Sequence, residues 1–98
     1  MNMYASENKI KNIELSLNEI ELVELLYKMY LDNLKKCKDK EIARELGNFY
    51  YLDRYMADMG FKRFGNVLVE LNRVRFVDVN ERNNIVLTDR FFQYVGKR

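Results

Sequence analysis

The stretch RFGNVLVELNRVRFVDVNERNNIVLTD, residues 63–89, decides how this chain folds, because its hydrophobic period changes partway along. Phe64, Val67, Leu68, Leu71 and Val74 recur at three-and-four spacing, the mark of a helix with one apolar face. Lys62, Arg63, Asn66, Glu70 and Arg73 come round on the opposite side. From Val74 the pattern becomes that of strands: VRFVDV (74–79) and NIVLT (84–88) are short β-branched runs. Asn80-Glu81-Arg82-Asn83 between them reads as the polar tip of a hairpin. A helix that feeds into a hairpin needs further apolar surface to pack on, and that surface must come from upstream.

Working back along the chain, Asn48 is a candidate cap for a helix from about Phe49 to Met59, with Leu52, Tyr55, Met56 and Met59 as its buried stripe and Gly60 as its stop. Before it, Asp39 can cap a shorter helix in which Ile42 and Leu46 lie four apart, Ala43 permits close approach, and Gly47 supplies the left-handed end. Lys35 to Lys40 is a short basic turn. The first and longest helix opens at the capping box Ser16-Leu17-Asn18-Glu19 and runs from about Leu17 to Leu34. Its apolar stripe is wide: Leu22, Leu25, Leu26 and Met29 broaden the three-and-four series Ile20, Val23, Tyr27, Tyr30, Leu31 and Leu34. Either one core takes both strips of this helix, or the second strip meets another copy of the chain; a homodimer through Leu17 to Leu34 is the expectation carried forward. Ile13 and Leu15 alternate with Glu14 and could form a short strand, and Phe91, Phe92, Tyr94 and Val95 make the tail from Asp89 a closing helical turn or strand. The fold class is therefore mainly α with a small β-hairpin (α+β).

Composition narrows the function. The 98 residues are 48% apolar and 33% charged, with no proline and four glycines, so the expectation is a single domain over 16–95 with a polar segment at 1–15 and a basic tail at 96–98. Histidine is absent and Cys37 is the only cysteine, which excludes an intrachain disulfide, a Cys/His zinc site and histidine-based catalysis. The glycine spacing from Gly60 to Gly65 resembles that of a phosphate loop, but Asn66 and Val67 stand where Lys and Ser or Thr are required. Glu41 and Glu45 lie one helical turn apart, and charged ridges of this kind far outnumber catalytic dyads. No enzyme activity, cofactor or metal is expected. Cys37 stands among Lys35, Lys36 and Lys38, where it could be a reactive thiolate but reads more simply as a passive thiol at a helix end. No apolar run approaches the roughly 20 residues of a membrane span and the start MNMYASENKI lacks an apolar core, so a cytoplasmic location is expected.

The net charge of +2 hides an asymmetry. Residues 1–34 hold three lysines against six acids, a net of −3, while the other 64 residues hold 14 basic and 9 acidic groups, a net of +5. That bias suits a polyanion or simply a solvated surface.

The order of elements resembles a winged helix-turn-helix, the DNA-binding superfamily of many bacterial, archaeal and viral regulators. The residues that carry the resemblance are DKEIARELG (39–47), similar to the first half of a helix-turn-helix, and RFVDV with NNIVLTD, similar to the wing and the segment after it. Two registers are open. In one, Lys40 to Gly47 is the first helix of the motif and Asn48, Tyr50, Tyr51 and Arg54 reach the groove. In the other, Tyr50 to Gly60 is the first helix and Lys62 to Arg73 the recognition helix, running straight into the strand at Arg75. The second is preferred for that continuity.

The resemblance implies a sequence-specific duplex-DNA-binding protein, a small transcriptional regulator, with DNA-binding residues Lys62, Arg63, Asn66, Arg73, Arg75 and Arg82. Arg63 and Asn66 are the candidates for base edges and Lys62 and Arg73 for phosphates. Arg82 is the candidate for the minor groove, supported by Arg75. Glu70 on the same face could accept from a cytosine amino group or repel the backbone. Tyr50 and Tyr51 could stack on single-stranded bases, though they read better as partly core. The alternative is a protein-interaction module of the same shape, which the acidic first helix and mixed charge also suit. Abundant Lys, Asn, Ile and Tyr fit an A/T-rich genome such as that of a phage, virus or plasmid.

Overall fold

The computed structural model describes residues 13–96 of the 98. The greater part of the polar N-terminal segment and the last two residues of the basic tail lie outside the described residues. The elements follow in the order α1 (Leu17–Cys37), α2 (Lys40–Ala43), β1 (Glu45–Asn48), α3 (Phe49–Asp58), α4 (Phe64–Arg73), β2 (Val77–Val79), β3 (Asn84–Leu87) and α5 (Asp89–Gly96). The three strands form one antiparallel sheet in the order β1-β3-β2, so the hairpin β2–β3 is completed by a strand from far upstream. The fold is mainly helical α+β with a small three-stranded antiparallel sheet.

Local chemistry sets most of the boundaries. Ser16 and Glu19 form the reciprocal capping box of α1: the Glu19 N–H donates to Ser16 Oγ at 3.2 Å, and the Ser16 N–H donates to Glu19 Oε1 at 2.7 Å. Asp39 caps α2 through the Glu41 and Ile42 N–H groups, and Asn48 caps α3 through that of Tyr51 at 2.8 Å. Helix α3 ends in a Schellman turn, with Gly60 at φ 89°, the Phe61 N–H on the Met56 carbonyl and the Gly60 N–H on that of Ala57. Helix α4 ends in the same way without a glycine: Arg75 adopts φ 66° while the Phe76 N–H reaches the Leu71 carbonyl and the Arg75 N–H that of Asn72. Lys38 closes α1 in the left-handed region as well, at φ 57°.

Helix α1 is the floor of the core. It packs on α2, α4 and β1, while α3 and α4 pack on each other and on strands β1 and β2 respectively. Leu22, Leu26, Leu52, Met56, Phe64, Leu71, Phe76, Leu87 and Phe91 are fully buried, and among the described residues no polar or charged one is. Phe76 meets Phe91 edge-on with ring centroids 6.3 Å apart, and Phe92 meets Tyr30 of α1 at 4.7 Å, so α5 is clamped between hairpin and floor. The Arg44 guanidinium adds a tie to α5, 2.7 Å from Asp89 and 4.8 Å from the Phe92 ring centre.

Five expectations change. Residues 45–48 are a strand, and the helix begun at Lys40 stops after one turn at Ala43. The free edge of β3 offers hydrogen bonds to whatever lies beside it, and pairing of Glu45 with Val86 and Asn48 with Asn84 outweighs the helical spacing of Ile42 and Leu46. Gly47, at φ 134°, accommodates the register shift there; a Cβ on it would stand 3.0 Å from the Tyr51 ring. Ile42 is consequently 61% exposed, and Met59, beyond the end of α3, is 46% exposed. Helix α1 absorbs Lys35 to Cys37. Ile13 and Leu15 form no strand and instead pack on the core, and strand β2 is confined to Val77–Val79 because the Arg75 turn precedes it.

Candidate nucleic-acid interface

Helix α4 presents its apolar residues Phe64, Val67 and Leu71 to the core, which turns Asn66, Val69, Glu70 and Arg73 outward. Its start is held close to α3: the Phe49 and Phe64 rings lie 5.4 Å apart, and a Cβ on Gly65 would already touch Phe49 at 3.4 Å. Arg63 stands at the N-cap position, but no side chain caps the first turn. Lys62 and Arg63 are exposed at this end and form no ion pair among the described residues. At the other end, Arg73 Nη1 lies 3.4 Å from Glu70 Oε1, so the acid on this face is directed at its own neighbour and leaves Arg73 70% exposed. Four expected site residues, Lys62, Arg63, Asn66 and Arg73, thus share one stretch from the turn before α4 to its end.

Arg75 lies in the turn after α4. Together with Arg73 and Arg90 it lines a surface cleft of about 520 Å³ that also includes Asp78, Thr88 and Asp89. The left-handed conformation of Arg75 costs a non-glycine residue on the order of 1 kcal/mol, and the Thr88 hydroxyl holds the Arg75 carbonyl.

Arg82 is engaged differently. Its guanidinium donates to both oxygens of Glu45, through Nε at 3.1 Å and Nη2 at 2.9 Å. Asn80 and Asn84 donate to the same carboxylate at 2.9 and 2.6 Å. These donors hold the Glu45 carboxyl well below its ordinary 4.5, at about 2, Arg82 being the largest cause and the two amides following. The pairing raises the Arg82 guanidinium in return. The hairpin tip is therefore tied to β1 across the sheet, with Asn83 at φ 62° making the reversal and the Asn80 side chain accepting from the Arg82 and Asn84 N–H groups.

Two features of this surface went unread in the sequence. Glu45 looked like part of a charged ridge with Glu41; the signal for its role was Asn80, Arg82 and Asn84 at alternate positions of a hairpin. Val69 is 57% exposed although the other aliphatic residues of α4 are buried or half-buried. The residues of the other register behave as follows: Asn48 is the α3 cap, Tyr50 is 83% exposed, Tyr51 stands beside Gly47, and Arg54 is exposed. Phe49, Tyr50, Leu68, Val79 and Ile85 line a mainly apolar groove between α3, α4 and the hairpin.

On α1, Leu22, Val23, Leu26, Met29 and Tyr30 are buried and Ile20, Leu25, Tyr27 and Leu34 half-buried, so most of both apolar strips lies within the chain's own fold. Leu31 remains on the outer side, in a shallow depression with Lys28, Asp32, Leu34 and Lys35. Cys37 is exposed, its thiol turned to the Asp39 carbonyl. Among the described residues no helix is long and apolar enough to cross a membrane. Comparison with protein-family models, with curated proteins and with solved structures finds no match to this chain.

Proposed function

We propose that the chain is a winged helix-turn-helix protein that binds duplex DNA through the outer face of α4, as a small transcriptional regulator. The observation that carries this reading is the connection of elements: two short helices, α3 and α4, joined by the Gly60 turn and followed after the Arg75 turn by a hairpin that β1 extends to three strands, with Lys62 and Arg63, which form no ion pair among the described residues, at the exposed start of the second helix. In such a complex Arg63 and Asn66 face base edges, while Lys62, Arg73 and Arg75 approach phosphates. The uncapped first turn of α4 adds backbone N–H groups that suit a phosphate. Arg82 supports the interface indirectly, by fixing the hairpin through Glu45.

Fluorescence anisotropy with a labelled mixed-sequence duplex, at about 50 and 200 mM salt, tests the reading. Phosphate-driven binding weakens by at least about tenfold over that interval. Absence of binding at both concentrations removes DNA as the partner.

A second reading draws on the apolar groove beside Phe49, Tyr50 and Val79, which suits a protein partner. Salt-insensitive association with a protein, lost on Tyr50→Ala and kept on Arg63→Ala, distinguishes it. A homodimer through the outer side of α1 is part of the proposal in either case, with Leu31 as its apolar contact; sedimentation of Leu31→Glu against the unaltered chain tests it.

A further inference from the structure

Resting on the duplex reading above, we infer that Asn66 and Val69 make the α4 face selective for A·T pairs, with Val69 set against the C5 methyl group of thymine. The outer face of α4 carries one aliphatic side chain, Val69, three residues after Asn66 and four before Arg73. Side chains three apart on a helix are neighbours, with Cβ atoms about 5–6 Å apart, so an amide and an apolar group are presented side by side. Helix stability does not account for valine there: it is a poorer helix former than alanine, and it is 57% exposed, outside the buried core cluster.

The chemistry of the major groove supplies a match. The thymine methyl is the apolar group on base-pair edges there, and the adenine edge offers the acceptor and donor that a carboxamide meets with two hydrogen bonds. A face with an amide next to an isopropyl group therefore complements adenine and thymine on neighbouring pairs. The cations lie outside this pair: Lys62 and Arg63 at the start, and Arg73 turned toward Glu70 at the end. That arrangement assigns positive charge to flanking phosphates and leaves the middle of the helix for A·T edges. Glu70 turns one carboxylate oxygen to Arg73, 3.4 Å from its Nη1, toward the end of the helix and away from Asn66 in sequence.

The test uses three duplexes of equal length: alternating A·T, the same sequence with every thymine replaced by deoxyuridine, and alternating G·C. Uracil keeps every hydrogen-bonding group of thymine and lacks only the methyl, so the first two differ in that group alone. The unaltered chain is expected to bind the thymine duplex about three to five times more tightly than the uracil duplex, the effect of one methyl group removed from water. Val69→Ala should close that gap while the circular-dichroism spectrum stays helical, since alanine is the better helix former. Asn66→Ala should keep the methyl gap and lose about tenfold of the preference for A·T over G·C. Salt-sensitive binding with equal affinity for thymine and uracil duplexes overturns the inference and leaves the duplex reading in place. Lack of binding to all three duplexes at low salt overturns both, and turns attention to a protein partner on the same face.

Discussion

The hairpin tip and the outer face of α4 carry the same kinds of side chain, arginine beside asparagine, yet the fold uses them in opposite ways. At the tip, Arg82, Asn80 and Asn84 all turn toward one carboxylate, Glu45, which receives four hydrogen bonds from them. At the start of α4, Lys62 and Arg63 in the preceding turn and Asn66 in the first turn are exposed and meet no carboxylate among the described residues. A cation's presence on a predicted wing therefore says little about its availability, because one acid on a neighbouring strand can take it. The Arg82 guanidinium fixes the shape of the tip, while Lys62 and Arg63 are left exposed.

Several substitutions would break or sharpen that contrast. The largest effect is expected from the pair Lys62→Ala and Arg63→Ala, which should weaken duplex binding by about 10- to 100-fold and lower the salt slope by about two, as anisotropy measures. Gly47→Ala attacks the strand beneath the hairpin tip. It forces a side chain into a left-handed conformation and against Tyr51, and should lower stability by about 1–2 kcal/mol in urea unfolding. Arg75→Gly and Lys38→Gly both relieve a left-handed residue at a helix end and should each add about 0.5–1 kcal/mol of stability. Only Arg75→Gly should also weaken duplex binding, by a few-fold, on the order of one lost phosphate contact.

Acid should act on the tip and spare α4. The Glu45 carboxyl is lowered from 4.5 to about 2 in the folded chain, so its contribution to stability is complete above pH about 4.5 and fades as the pH falls toward 2. Glu45→Gln should therefore unfold more readily than the unaltered chain at pH 7, with the difference shrinking through that window in thermal melts. The smallest expected effect is that of Arg82→Ala on DNA affinity, a change within about twofold at 100 mM salt, since its charge is already opposed by Glu45. Its loss should appear in stability instead, and a drop in affinity matching that of Arg63→Ala would place the hairpin tip on the DNA.

What could be read from the sequence was what local chemistry decides. Ser16 with Glu19, Asp39 and Asn48 each act on N–H groups two or three residues ahead, and Gly60 ends α3 through its own backbone freedom. The period change after α4 was legible for the same reason. Strand β1 was not, because Glu45 to Asn48 becomes a strand only through partners in β3, and a local pattern of Ile42 and Leu46 spoke for helix. The candidate site divided along the same line. Lys62, Arg63, Asn66 and Arg73 share a stretch that helical spacing reveals, whereas the fate of Arg82 depended on an acid 37 residues away. Val69 stands outside the inward set Phe64, Val67, Leu68, Leu71 and Val74, and its spacing from Asn66 and Arg73 already places it on their face, where the docked helix leaves it 57% exposed.

The contrast between the two regions is tested most directly by titrating the isotopically labelled chain with duplex DNA and following backbone amide shifts in nuclear magnetic resonance. Shifts concentrated on residues 62–75, with Asn80 to Asn84 nearly unmoved, are the expected result. Shifts centred on the hairpin tip, or none at duplex concentrations of about 100 μM, would contradict the assignment of α4 as the DNA-binding face.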